Sequence, residues 1–210
     1  FAVVCDGAGG HQNGATASDI VARTAALGLQ TGVALSATGL QAILTRANDT
    51  LNQQQQGLKS HQRMHSTVVA LWIDAQAHTA VWGHCGDSRL YVLRRGQVRQ
   101  LTRDDRLVQQ MVDSGLIDAE AGRHHAAKNQ LVSALGMEDG VEIHACDHPA
   151  QLQDGDAFLL CTDGWWDAVE PQEMEHTLAY ATDPADWLNR MAQLVRARNI
   201  GLKAGLHHVY

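Results

Sequence analysis

Two aspartates close apolar runs that lie far apart in the chain. Asp6 ends FAVVCD and Asp163 ends FLLCTD, each followed at once by glycine, and a third acid, Asp87, stands in VWGHCGDSR. A carboxylate at the end of a buried strand is delivered to a fixed place on a rigid sheet edge. Two such edges facing each other concentrate negative charge, which is costly unless a cation shares the space. Hard divalent ions such as Mg²⁺ or Mn²⁺ prefer oxygen ligands of this kind, and a glycine after the acid lets a backbone carbonyl, as at Gly7, approach the ion. An Asp-Gly pair after a strand is also a common turn, so any single occurrence reads both ways. Recurrence within longer similar stretches favours the metal.

The elements that must position these acids follow from periodicity. Ser18 is expected to cap a helix whose Ile20, Val21, Thr24 and Leu27 share one face. Ser36 or Thr38 begins a second helix, with Leu40, Ile43, Leu44, Ala47 and Leu51 at spacings of three and four, and the glutamine tract from Gln53 to Gln56 reads as a frayed end or loop. STVVALWID, HTAVWGHCG, SRLYVLRRG and QVRQL then read as an antiparallel meander. Leu107, Val108, Met111 and Val112 mark a short helix that Gly115 stops. A polar segment with His124 and His125 leads to strand-like QLVSALG, and VEIHAC and AFLLC add two more strands. Pro171 and the Leu188, Met191, Leu194, Val195 spacing give two closing helices. Helices, then strands, then helices without βαβ alternation define the α+β class. Two packed antiparallel β-sheets (a β-sandwich) flanked by helices, four layers α-β-β-α, would cover every apolar face.

The chain has 210 residues, 45% hydrophobic and 19% charged, which suits one domain with a sizeable core. No apolar run approaches the roughly 18 to 20 residues of a membrane span. A formal net charge of -7 argues against nucleic acid as a partner. Cys5, Cys85, Cys146 and Cys161 show no CxxC spacing and read as buried thiols of a cytoplasmic protein. A monomer is expected. Phe1 is not an initiator methionine, which implies a longer parent chain.

DGAGGH at 6–11, GDSRLYVLRRGQVRQLTRDDRLVQQMVDSG at 86–115 and LQDGDAFLLCTDGWWDAV at 152–169 resemble, in the same order, blocks of the metal-dependent Ser/Thr protein phosphatases known as protein phosphatase 2C. The resemblance spans nearly the whole chain. It implies a single phosphatase domain over 1–210 lacking its N-terminal strand, with the family's phosphate-binding arginine and a further metal-binding acid falling before Phe1. It also implies a dinuclear Mn²⁺ or Mg²⁺ centre, with Asp6 bridging two ions, Gly7 offering its carbonyl, Asp163 holding one ion and Asp87 a third, weaker one. Asp167 takes either an outer metal role or that of a surface acid. In AGLHHVY, His207 stands where the family has a metal-binding aspartate; an imidazole suits Mn²⁺ better than Mg²⁺, so a weak second metal site, a preference for Mn²⁺ or no turnover is expected. Asp105 stands where the family usually has a histidine.

The expected reaction is hydrolysis of phosphoserine and phosphothreonine in phosphoprotein substrates by a hydroxide held between two cations. No serine or cysteine nucleophile is needed, and the cations supply the positive field that an acidic chain lacks. His11 either gives a proton to the leaving alkoxide or serves as a turn residue capping the next helix. The remaining histidines, the His124, His125 pair included, show no ligand spacing. The alternative reading keeps the fold with an impaired centre, as a regulatory or phosphoprotein-binding module. The segment 118–129 is where a substrate-selecting flap is expected.

Overall fold

The computed structural model describes residues 1–8, 11–30 and 36–198. In chain order its strands are β1 (Ala2–Val4), β2 (Gly7–Ala8), β3 (His65–Ser66), β4 (Val68–Asp74), β5 (Thr79–Cys85), β6 (Arg89–Arg94), β7 (Gln97–Gln100), β8 (His144–Ala145), β9 (Ala150–Gln151) and β10 (Ala157–Cys161). Its α-helices are α1 (His11–Gln30), α2 (Ala37–Gln54), α3 (Leu107–Asp113), α4 (Ala119–His124), α5 (Asp163–Trp166), α6 (Pro171–Ala179) and α7 (Pro184–Ala197). One antiparallel sheet runs β1-β4-β5-β8 with β9 also on β5, a second runs β10-β6-β7, and β2 and β3 form a short ribbon.

Alternation along the strands explains the layers, because successive side chains point to opposite faces. On β4, Val68 and Ala70 face the helices α1 and α2, while Val69 and Leu71 face the other sheet. On β10, Phe158 and Leu160 face the first sheet, and Leu159 and Cys161 pack with Met174 of α6 and Trp187, Met191 and Val195 of α7. Both faces of these strands are covered, so they read as continuous apolar runs rather than alternating ones. The expected α-β-β-α sandwich is the observed one, and each fully buried Leu or Val in it contributes roughly 1.5 to 3 kcal/mol of transfer free energy.

Several local expectations change. The meander is split: β4 and β5 pair in one sheet and β6 and β7 in the other. Gly86, Asp87 and Ser88 form the corner where the chain crosses between sheets, and Gly86 takes φ +99, a conformation glycine adopts without a Cβ penalty. Ser18 is no cap, because α1 starts at His11; its hydroxyl donates to the carbonyls of Gly14 and Ala15 within the helix. Ser36 does cap α2, accepting from the Gly39 N–H at 2.9 Å. QLVSALG is not a strand; it makes isolated bridges from Leu131 to Arg106 and from Leu135 to Ser66 of β3, and Ser133 Oγ lies 3.2 Å from Cys85 Sγ of β5. VEIHAC contributes two strand residues.

The glutamine tract is not uniformly loose. Gln55 is fully buried, donating to the Gly136 carbonyl at 2.7 Å and accepting from the Met64 N–H at 2.9 Å. It closes the end of α2 against two distant loops, while Gln53 and Gln56 stay exposed. All four cysteines are free and buried, as expected. Among the described residues no helix is long and apolar enough to cross a membrane.

Candidate metal centre

Strand register carries the acids to one edge of the sandwich. The β6–β10 ladder ends on the pair Arg89 and Cys161, which leaves Asp87 and Asp163 each two residues beyond it, at the same end of that sheet. The β1–β4 ladder pairs Val4 with Val69, and continuing it sets Asp6 beside Thr67. Hydrogen bonds hold that last pairing: Thr67 N–H donates to the Asp6 carbonyl at 2.8 Å and Asp6 N–H to Thr67 Oγ1 at 3.1 Å. Thr67 Oγ1 in turn shares a hydrogen bond of 2.7 Å with Ser88 Oγ, the neighbour of Asp87. Three chain segments distant in sequence are thereby tied at one place.

Their burial and mutual repulsion show in Asp87. Its carboxyl is buried and pushed up to about 7, first by loss of water and next by the charge of Asp163, with Asp104 and Asp6 adding to it and Arg106 opposing. Asp163 is the first residue of α5, directly after β10. Gly7 lies in β2 opposite Ser66, and a side chain there would overlap the Gly14 carbonyl of α1, so its glycine is required by helix packing against the ribbon as well as by any approach to an ion. His11 is the first residue of α1. His207 lies outside the described residues.

A second tier of side chains fixes the corner, and sequence reasoning missed it. Buried Asp104 accepts from Arg89 Nε and Nη2 at 2.9 and 2.7 Å and pairs with Arg106 at 2.9 Å. The two guanidiniums lie over the Trp166 ring, 3.6 and 4.6 Å from its centroid, and the Trp166 indole N–H donates to the Asp87 carbonyl at 3.0 Å. The words GDSR and TRDDR hold these residues, but nothing in their spacing tells which arginine meets which acid. Asp167, open between two roles in sequence, pairs with Lys128 at 3.0 Å on the surface. The 118–129 segment folds as α4 with Asp118 as its cap, accepting from the Ala121 N–H at 2.7 Å. A groove of about 790 Å³ separates it from α5 and α6, lined by Arg89, Arg106, Lys128 and Trp166 among others.

Carboxylate oxygens and a backbone carbonyl are the ligand type that hard divalent cations take. Burial first, and then the charge of Asp163, disfavour the ionised form of Asp87, and a cation of high charge density would offset both.

An α-β-β-α sandwich with acids gathered where its two sheets meet is the class of structure in hand. Comparison with known proteins agrees with it. The family model described as Protein phosphatase 2C matches residues 1–208. The serine/threonine phosphatase Stp of Listeria monocytogenes serotype 4b (strain F2365) is 34% identical over 181 residues, covering 84% of this chain and 70% of the relative. The solved serine/threonine phosphatase PstP/Ppp of Mycobacterium tuberculosis superposes with TM-score 0.81 at 30% identity, covering 92% of this chain and 80% of that one. The catalytic domain of PstP solved in complex with 2 manganese ions gives TM-score 0.77 at 27% identity, covering 99% and 83%. The chain belongs to the protein phosphatase 2C family.

Proposed function

We propose that this protein is a metal-dependent phosphoprotein phosphatase acting on phosphoserine and phosphothreonine. The observation that carries the reading is the convergence of Asp6, Asp87 and Asp163 on one edge, expressed in the raised carboxyl of Asp87. Asp6, the Gly7 carbonyl and Asp163 would hold two Mn²⁺ or Mg²⁺ ions, with Asp87 and a third ion beside them. Such cations, when bound, neutralise phosphate oxygens and lower the pKa of a bound water toward about 7. The relatives named as serine/threonine phosphatases, one of them solved with 2 manganese ions, support this assignment.

The chain's own residues supply placement. Thr67 and Ser88 lock the segments that bear Asp6 and Asp87, and Trp166 of α5 holds the Asp87 carbonyl. His11, by its place in DGAGGH, is assigned the proton given to the leaving serine or threonine alkoxide. The groove beside α4 is assigned the flanking peptide, in a single-domain, monomeric, cytoplasmic signalling enzyme whose four cysteines stay reduced.

The test is release of phosphate from phosphothreonine and phosphotyrosine peptides, and of p-nitrophenol from its phosphate ester, with Mn²⁺ added or chelated. Turnover that needs Mn²⁺, favours the phosphothreonine peptide and disappears in Asp163→Asn is the expected result. Equal turnover in the Asp163→Asn protein, or none in the parent protein, overturns the assignment.

A further inference from the structure

On the far side of the Gly86 corner, ligating side chains from three other places in the chain meet. His84 on β5, Asp105 in the loop after β7 and His144 on β8 each bring one ligand atom to within 4.8 Å of the others. They line a cavity of about 610 Å³ that is separate from the groove beside α4.

The hydrogen bonds preset the imidazoles for coordination. His84 Nε2 lies 2.8 Å from the Arg103 carbonyl, which can only accept, so Nε2 carries the proton and Nδ1 keeps its lone pair. A histidine whose other nitrogen donates to a backbone carbonyl is the usual outer support of a metal ligand. Burial lowers the pKa of His84 and keeps it in the neutral, ligating form. His144 Nε2 sits 3.0 Å from Asp105 Oδ1, and the two histidine rings stack with centroids 5.0 Å apart. Asp105 is fixed in turn: its other oxygen accepts from the Gly86 N–H at 2.8 Å, and its own N–H donates to the Gly86 carbonyl at 3.1 Å. The Glu142 carboxylate, 3.9 Å from His144 Nε2, stands ready as a further oxygen. His144 is 41% exposed, which gives an ion a way in.

We propose that His84, Asp105 and His144 form a binding site for a borderline divalent transition metal, Zn²⁺ above all, distinct from the carboxylate edge. Two imidazoles and one carboxylate suit Zn²⁺ and its neighbours and suit Mg²⁺ poorly. On binding, the single proton of the neutral His144 ring passes from Nε2 to Nδ1 by exchange with water, and the ion takes the place it held between Nε2 and Asp105. Because Asp105 grips Gly86 from both sides, an ion here clamps the turn that presents Asp87.

The experiment titrates the full chain with Zn²⁺ by calorimetry and with Co²⁺ by visible absorption, in the parent protein, His144→Gln and Asp163→Asn. The half-exposed position of His144 leaves the core packed in its variant, which circular dichroism verifies. The expected result is a Zn²⁺ site weakened by about tenfold or more in His144→Gln, with loss of the Co²⁺ bands that nitrogen ligation gives, while Asp163→Asn retains both. Unchanged Zn²⁺ affinity and Co²⁺ spectrum in His144→Gln, or loss of both in Asp163→Asn, overturns the proposal.

Discussion

Replacing Asp87 by asparagine in the metal-free protein should raise stability at neutral pH, although it removes a residue assigned to the centre. The Asp87 carboxyl moves from an ordinary 3.8 to about 7 on folding, because burial and the charge of Asp163 disfavour its ionised form. A group whose folded value lies above its unfolded value binds a proton in the folded protein that the unfolded chain has already lost. Stability contributed by that proton is whole below about 4 and declines as pH rises through 7. The displacement corresponds to about 4 kcal/mol once both states are ionised, an upper bound on the gain from the neutral amide. Urea unfolding in chelator from pH 4 to pH 8 should show the parent protein losing stability relative to Asp87→Asn across this window, with the two curves meeting at the acid end. Excess Mn²⁺ should reverse the order at pH 8, since a ligand that binds only the folded state adds stability to the protein that keeps the acid. Parallel curves in chelator would refute the reasoning, because they would mean that neither burial nor the charge of Asp163 raises the Asp87 carboxyl in the folded protein.

Asp104→Ala strands the guanidiniums of Arg89 and Arg106 in a buried setting and should cost about 3 to 5 kcal/mol, read by urea unfolding. Gly86→Ala places a methyl 2.7 Å from Thr67 Cγ2 at a backbone φ of +99. It should cost about 1 to 3 kcal/mol and weaken Mn²⁺ binding in calorimetry, because the displaced turn carries Asp87.

The layers of the sandwich were legible in sequence because continuous apolar runs such as VVALW and AFLLC require cover on both faces, and helices with one apolar stripe are what remains to supply it. Asp6, Asp87 and Asp163 were legible for the same reason: each follows directly from an element whose burial is unmistakable. The division of the meander was not, since Val81 to Leu93 reads alike whether the chain turns within a sheet or crosses to the next. Only the positive φ of Gly86, a property of the folded backbone, marks the crossing. Ser18 misled because a cap and a mid-helix serine bonding back to residues 14 and 15 have the same local composition. The His84, Asp105 and His144 grouping left no trace in spacing, because sheet pairing of β5 with β8 joins positions sixty residues apart. His207, the residue that most distinguished the ligand set in sequence, lies outside the described residues.

The four consecutive glutamines are chemically identical yet only one is walled in, and this bears on how the chain tolerates change in length. Loss or duplication of any one of them yields the same sequence as loss or duplication of Gln56, at the start of the exposed turn that runs through Gly57 to Lys59. A slip during copying of that homopolymer can therefore be absorbed by solvent-facing backbone while Gln55 keeps its post between helix and loops.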